Sequence, residues 1–317
     1  MGFQWKLSEQ FSYSYIHGSL KSNIQDDGNP FYIFSGKSNP PDIQRNLAGH
    51  RLSWSPHEAW ELAFNELVIY GNRSIEWGYS IPLLPFFPVQ GYLSDSDNIL
   101  MSADILYRLH RNAHIYGSFL MDEWSPPYTF IKDNQNWFGW QFGVQLENVT
   151  GKENSLQAEY TWTDHRIYKH KFQINDSYSW GYPIGFWAGP HAEELYIKSE
   201  SNFPQFTITL VFSNTKRGEI TPMMLADQYG RPNENPKFIR YQKNNEICSD
   251  CMGIVETRKQ FIITMERKIF SKLQTQVSYS YLQWQNAGFN PRKPVEDAML
   301  PEITKHSLGA GFVYCLD

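Results

Sequence analysis

No run of about 18 uncharged apolar residues occurs in the 317-residue chain, which excludes a protein that crosses a membrane on helices. Charge of one sign is lacking too. Lys and Arg total 28 against 33 Asp and Glu, a net charge of −5, so no basic footprint exists and no nucleic-acid partner is expected. A Gly-x-Ser-x-Gly elbow, a phosphate-binding glycine motif and a dinucleotide fingerprint are all missing. No cofactor is therefore expected, and no hydrolase built on that elbow. Cysteine is scarce, with three residues. Finally, the charged, apolar and small-residue order of an export leader is absent, because residues 1–6 already read as strand. The expectation is that a leader lies upstream of Met1.

What the chain does have is aromatic residues and alternation. Tyr numbers 19, Trp 11 and Phe 21, amphipathic or apolar rings that suit membrane–water girdles or stacking on sugars. Through residues 113–122, Ala113, Ile115, Gly117, Phe119 and Met121 share one face, while His114, Tyr116, Ser118 and Asp122 share the other. Phe138, Trp140, Phe142, Val144 and Leu146 alternate in the same way with Gln141, Gln145 and Glu147, and Leu156, Ala158, Tyr160 and Trp162 with Ser155, Gln157, Glu159 and Thr161. One side of each strand is greasy and the other is too polar for the core of a small soluble domain. Negative mean hydropathy is compatible with a barrel whose inward half is hydrophilic.

Twelve strands follow from this pattern, at residues 3–17, 44–54, 59–71, 98–109, 112–123, 136–147, 154–165, 191–200, 203–214, 258–270, 273–284 and 304–316. Their connections sort by length. Short links (55–58, 110–111, 148–153, 201–202, 271–272) alternate with long ones (18–43, 72–97, 124–135, 166–190, 215–257, 285–303). Tight periplasmic turns and long extracellular loops have this asymmetry, and a soluble β-sandwich has no reason for it. The expected fold is all-β, an antiparallel transmembrane barrel in the outer membrane, forming a single domain over residues 1–317. Two carboxylates disturb the alternation. Glu66 falls on the side of Trp60, Leu62 and Phe64, and a β-bulge near Asn65-Glu66 would turn it inward. Glu9 falls among Trp5, Leu7, Phe11 and Tyr13 with no equivalent remedy.

The ordered runs Gly49-His50-Arg51-Leu52, Glu66-Leu67-Val68-Ile69-Tyr70-Gly71, Pro82-Leu83-Leu84-Pro85-Phe86-Phe87 and Asp97-Asn98 resemble the Wzi-type capsule assembly family of outer-membrane proteins. Tyr116-Gly117, Asp122-Glu123, the segment from Trp137 to Trp140, and Gly185-Phe186-Trp187-Ala188-Gly189-Pro190-His191 continue the resemblance in order. It departs from the family at Ser53, where an acidic residue is usual, and at Ile81, where Asn is usual. The resemblance implies a barrel of about eighteen strands plugged by periplasmic helices, so that N-terminal strands, plug helices and leader precede this chain. It also implies a lectin-like protein of a Gram-negative cell surface that holds capsular or exopolysaccharide, acting as a monomer in the outer-membrane bilayer. The proline-rich stretch 82–88 would then fold inward over the lumen; packing against neighbouring loops is the structural alternative.

Sugars are held by aromatic faces together with amides, carboxylates and guanidinium groups, and the long loops supply both. Candidate polysaccharide-binding residues are Arg51, Glu66, Arg73, Asp122, Glu123, Trp124, Trp180, Trp187 and His191. For the tryptophans the competing role is a membrane girdle, and for Arg51 and Arg73, with Asp104, Arg108 and Glu159, an ion-pair network that stiffens the wall. Asp122-Glu123 makes a poor glycosidase pair, since adjacent strand residues point to opposite faces. No enzyme is expected. Cys248 and Cys251 form a lone C-x-x-C, for which a local disulfide is favoured over a zinc site, since the one remaining cysteine is Cys315. The functional rival is a pore-forming barrel that passes solutes or saccharides.

Overall fold

The computed structural model describes residues 1–26, 41–124, 136–149, 153–218, 255–270, 273–287 and 301–314. In chain order the elements are β1 (Gly2–Lys6), β2 (Phe11–Leu20), β3 (Arg45–His57), β4 (Trp60–Gly71), α1 (Trp77–Ser80), α2 (Phe86–Tyr92), β5 (Asn98–His110) and β6 (Ala113–Glu123). They continue with β7 (Trp137–Glu147), β8 (Asn154–Thr163), a short 3-10 turn (Gln173–Asn175), β9 (Tyr178–Ser179), β10 (Tyr182–Pro183), β11 (Ala192–Asn202), β12 (Thr207–Gly218), β13 (Val255–Phe270), β14 (Leu273–Gln285) and β15 (Ile303–Tyr314). Thirteen strands form one sheet in sequential order, with β9 and β10 as a separate hairpin. Among the described residues no helix is long and apolar enough to cross a membrane.

Two expectations are corrected. The first predicted strand divides into β1 and β2, because Ser8 folds the chain back: its Oγ accepts the amides of Gln10 and Phe11 at 3.2 and 3.1 Å. Glu9 therefore stands in a solvated turn, paired with Lys6 at 2.9 Å, and never faces the apolar side. The predicted bulge at Asn65-Glu66 does not form. The β3–β4 register runs unbroken through Leu52–Phe64, Arg51–Asn65 and His50–Glu66, and shifts only between Trp54 and His57. Glu66 stays on the face of Phe64.

The chain divides into two compact units, residues 1–105, 118–139 and 166–190 in the first and 106–117, 140–165 and 191–317 in the second. In the first unit one sheet face is marked by a bonded polar row. The Arg51 guanidinium donates to Asn65 Oδ1 at 3.1 Å and pairs with Asp104, and Asp104 also accepts from Asn65 at 3.0 Å and from Ser118 at 2.6 Å. The sequence neighbours of that row, Leu52, Phe64, Ile105 and Phe119, point the other way and are exposed. This is the inside-polar, outside-apolar division of a membrane barrel wall.

Both faces of this unit are covered at the loop ends of the strands. Residues 166–190 pack on the polar-row face, where Ile69 and Leu100 join Ile167, Tyr168 and Tyr178 in one cluster. Residues 73–97 pack on the opposite face, where Tyr79 and Phe86 join Tyr13, Tyr15, Ala48, Val68, Tyr70 and Ile99. The proline-rich stretch thus lies against the face that carries Phe64, not the face that carries Arg51 and Asp104. Its packing, rather than an inward fold, is what the structure shows.

In the second unit the same division repeats. Tyr116 pairs with Glu159, and the Gln157 amide donates to Tyr116 Oη and Glu159 at 3.0 Å each. On the other face the Trp140 ring meets Phe142, Tyr160 and Trp162 at centroid distances of 5.0, 6.3 and 6.0 Å. Gly143 is required under the Tyr116 ring, since a Cβ there would come within 2.2 Å of it.

Candidate functional site

The dipeptide Asp97-Asn98 enters β5 and, because successive side chains point to opposite faces, fastens both covering segments. Asp97 is fully buried and accepts from the Arg73 guanidinium at 2.5 Å and from Tyr79 Oη at 2.7 Å. Burial and the adjacent Asp97 carboxylate push the Tyr79 pKa up, so this hydroxyl remains a donor. Asn98 Nδ2 donates to the Asn175 carbonyl at 3.0 Å and to Ser177 Oγ at 3.2 Å. Nearby, Arg45 donates to the carbonyls of Asp176 and Tyr178, fixing the same loop to β3.

These anchors shape a cavity of about 480 Å³ between α2, the entrance of β5 and the end of β6. Its wall includes Phe87, Gln90, Asp95, Asp97, Asn98, Asp122, Glu123, Trp124 and His170. Trp124 is 52 % exposed and Phe87 62 %, so two apolar rings face open space beside carboxylates and amides. Asp122 is buried and accepts the Tyr168 amide at 2.6 Å, whereas Glu123 is exposed. The pair thus splits between opposite faces, as a strand requires. Burial pushes the Tyr168 pKa up to about 12, which keeps its hydroxyl protonated, and Tyr168 Oη accepts the Phe186 amide at 3.0 Å in the same loop reversal. Gly185 allows this approach, with φ of +143° and a virtual Cβ 2.5 Å from Tyr168 Oη.

Burial, reinforced by the neighbouring Lys171 ammonium, pushes the His170 pKa down to about 4. Its Nδ1 accepts the Phe172 amide at 3.2 Å, so the proton of the neutral ring sits on Nε2 as a donor. Among the described residues no three His, Cys, Asp or Glu side chains are grouped to hold a metal ion.

Of the nine candidates, Asp122, Glu123 and Trp124 line the cavity, and Arg73 buttresses it through Asp97. Arg51 belongs to the polar row with Asp104. Glu66 is buried, bonded to His50 Nε2 at 2.7 Å and accepting the Phe86 amide at 2.9 Å. Trp180 stands at the tip of the β9–β10 hairpin with φ of +52°, and neither it nor Trp187 lines the cavity. His191, in the second unit, is buried against His165 with ring centroids 5.8 Å apart. Cys248 and Cys251 lie outside the described residues. Gln90, Asp97, Asn98 and His170 were not among the candidates; only Asp97-Asn98 carried a signal, as one of the ordered family motifs.

The model for capsule assembly protein Wzi matches residues 4–293. The chain belongs to the Wzi capsule assembly family. A similar solved structure is Wzi of Escherichia coli, an outer-membrane protein involved in group 1 capsule assembly and described as a carbohydrate-binding β-barrel. It is 14 % identical with a TM-score of 0.55, over 95 % of this chain and 55 % of that one. The present Wzi-family chain thus spans just over half the length of the Escherichia coli protein. The outer-membrane channel DcaP of Acinetobacter baumannii is 10 % identical with a TM-score of 0.41, over 96 % of this chain and 73 % of that one. A comparison with curated proteins gives no match. Family and fold identify this chain as an antiparallel outer-membrane barrel protein.

Proposed function

We propose that this Wzi-family chain holds capsular or exopolysaccharide at the cell surface, and that sugar rings enter the cavity beside Trp124. The observation that carries the reading is the composition of that cavity: an exposed indole and an exposed phenyl ring next to Gln90, Asn98, Glu123 and the His170 Nε2–H. Aromatic faces cover the C–H surfaces of a sugar while amides, carboxylates and imidazole bond its hydroxyls. The volume falls within the range of small-ligand clefts, roughly 300–1,000 Å³. Asp97 and Asp122 are already committed to Arg73, Tyr79 and the Tyr168 amide, which makes them wall rather than reagents. Asp95, the other exposed carboxylate in that wall, is paired with Lys171 at 3.3 Å, and the reading is a binding protein rather than a glycosidase.

Titration of purified full-length protein with capsular oligosaccharide tests this. Trp124→Ala removes a stacking face worth ~1–2 kcal/mol, roughly a tenfold loss of affinity, while Trp180→Ala, outside the cavity, changes it less than about twofold. Unchanged affinity in Trp124→Ala overturns the assignment. If a steady single-channel current in a planar bilayer accompanies that result, the chain is a pore instead.

A further inference from the structure

The covering segment of residues 73–97 lies on the sheet face that membrane proteins turn to lipid, yet five of the strand residues on that face carry polar atoms. Tyr13, Tyr15, His50, Glu66 and Tyr70 all share the face of Phe64. Four of these side chains bond the segment's backbone, and His50 bonds Tyr13 and Glu66 instead. Tyr70 Oη accepts the Glu76 amide at 3.2 Å, Tyr13 Oη accepts that of Leu83 at 3.0 Å, and Glu66 accepts that of Phe86 at 2.9 Å. Tyr15 Oη donates to the Tyr79 carbonyl at 2.8 Å. Pro82, Pro85 and Pro88 have no amide proton to satisfy. Irregular backbone can border hydrocarbon only when its polar groups are bonded within the protein, and here the sheet supplies four of those bonds.

The outward side of the segment matches that requirement. Residues 77–93 contain no Asp, Glu, Lys, Arg or His. Trp77 is 80 % exposed, Ile81 56 %, Leu83 62 % and Tyr92 89 %. This apolar surface continues the band of exposed Leu52 and Phe64 on the same face. We propose that residues 77–84 form a non-strand lipid-contact surface, with Trp77, Ile81 and Leu83 seated among the acyl chains of the outer leaflet and the tyrosines and Glu66 beneath sealed from them.

The test is site-directed spin labelling of the full-length protein in liposomes. A nitroxide at Ile81→Cys, with Cys248, Cys251 and Cys315 replaced by serine, is expected to meet oxygen readily and a water-soluble nickel chelate poorly, as at the lipid-facing control Phe119→Cys. Chelate access equal to that at the turn position Glu153→Cys overturns the proposal by placing the segment in water. Access by neither reagent overturns it by placing another protein surface over the segment. If the serine background does not fold, brominated acyl chains read the native-cysteine protein: Trp77→Phe lowers the lipid-quenchable share of emission and Trp180→Phe does not. An unchanged share in Trp77→Phe refutes the idea.

Discussion

Asp97→Asn perturbs one buried carboxylate and should loosen one whole segment. Asp97 takes a charge-assisted bond from Arg73 at 2.5 Å and a second bond from Tyr79 at 2.7 Å, with its own side chain fully buried. Removing one partner of a buried ion pair costs ~3–5 kcal/mol because the other charge is left uncompensated. The Arg73 side chain keeps 30 % of its exposure and stays near Glu76 at 3.7 Å, so solvent recovers part of that loss and the expected cost is about 2–3 kcal/mol. Asparagine keeps one acceptor oxygen and cannot serve both donors. The cost falls on residues 73–93, which open before the strands do. Urea unfolding in micelles measures the total, and chymotrypsin cleavage at the buried Phe86 reports the local opening. A cycle with Arg73→Met isolates the pair, with a coupling of ~1–3 kcal/mol expected. A variant within about 0.5 kcal/mol of wild type, with an unchanged cleavage pattern, refutes the reasoning.

Gly143→Ala sets a methyl group into the Tyr116 ring, where the approach is 2.2 Å, and should destabilise by ~1–3 kcal/mol. Tyr116→Leu in the same chain removes the obstruction, so the double variant is more stable than the sum of the singles; strict additivity speaks against the packing described. His170 has a folded pKa near 4 against an ordinary value of 6.5, so the unfolded chain binds that proton more tightly than the folded one. Stability is complete above pH 6.5 and declines as pH falls towards 4, by about 1–3 kcal/mol. His170→Gln should flatten that decline in unfolding midpoints measured across the interval, and parallel pH profiles for the two proteins would contradict it.

Much of the wall was legible because alternation is a local signal. Phe119 and Ser118, or Trp140 and Gln141, declare their faces by parity alone, and the long strands lie within a few residues of their expected bounds. The Ser8 turn was missed because it contains neither Gly nor Pro, its reversal resting on one hydroxyl and two amides. Glu66 defeated local reasoning for a different reason. A strand pattern can flag a carboxylate on the wrong face, but the remedy came from Phe86, twenty residues on, which covers it and donates its amide. Asp122, Glu123 and Trp124 reached the cavity together because they are contiguous. Gln90, Asp97 and His170 join them from three other places in the chain, and no spacing rule brings such residues to one wall. Arg51 and Asp104 formed the ion pair that opposite charges on one face suggested.

Retention of polymer on the cell by the cavity beside Trp124 is tested most directly in living cells. In cells lacking the native gene, the full-length protein and its Trp124→Ala variant would be compared at equal outer-membrane abundance, by assaying polysaccharide on washed cells and in the medium. Wild type is expected to retain the polymer while Trp124→Ala sheds it. Equal retention by the two would contradict that expectation.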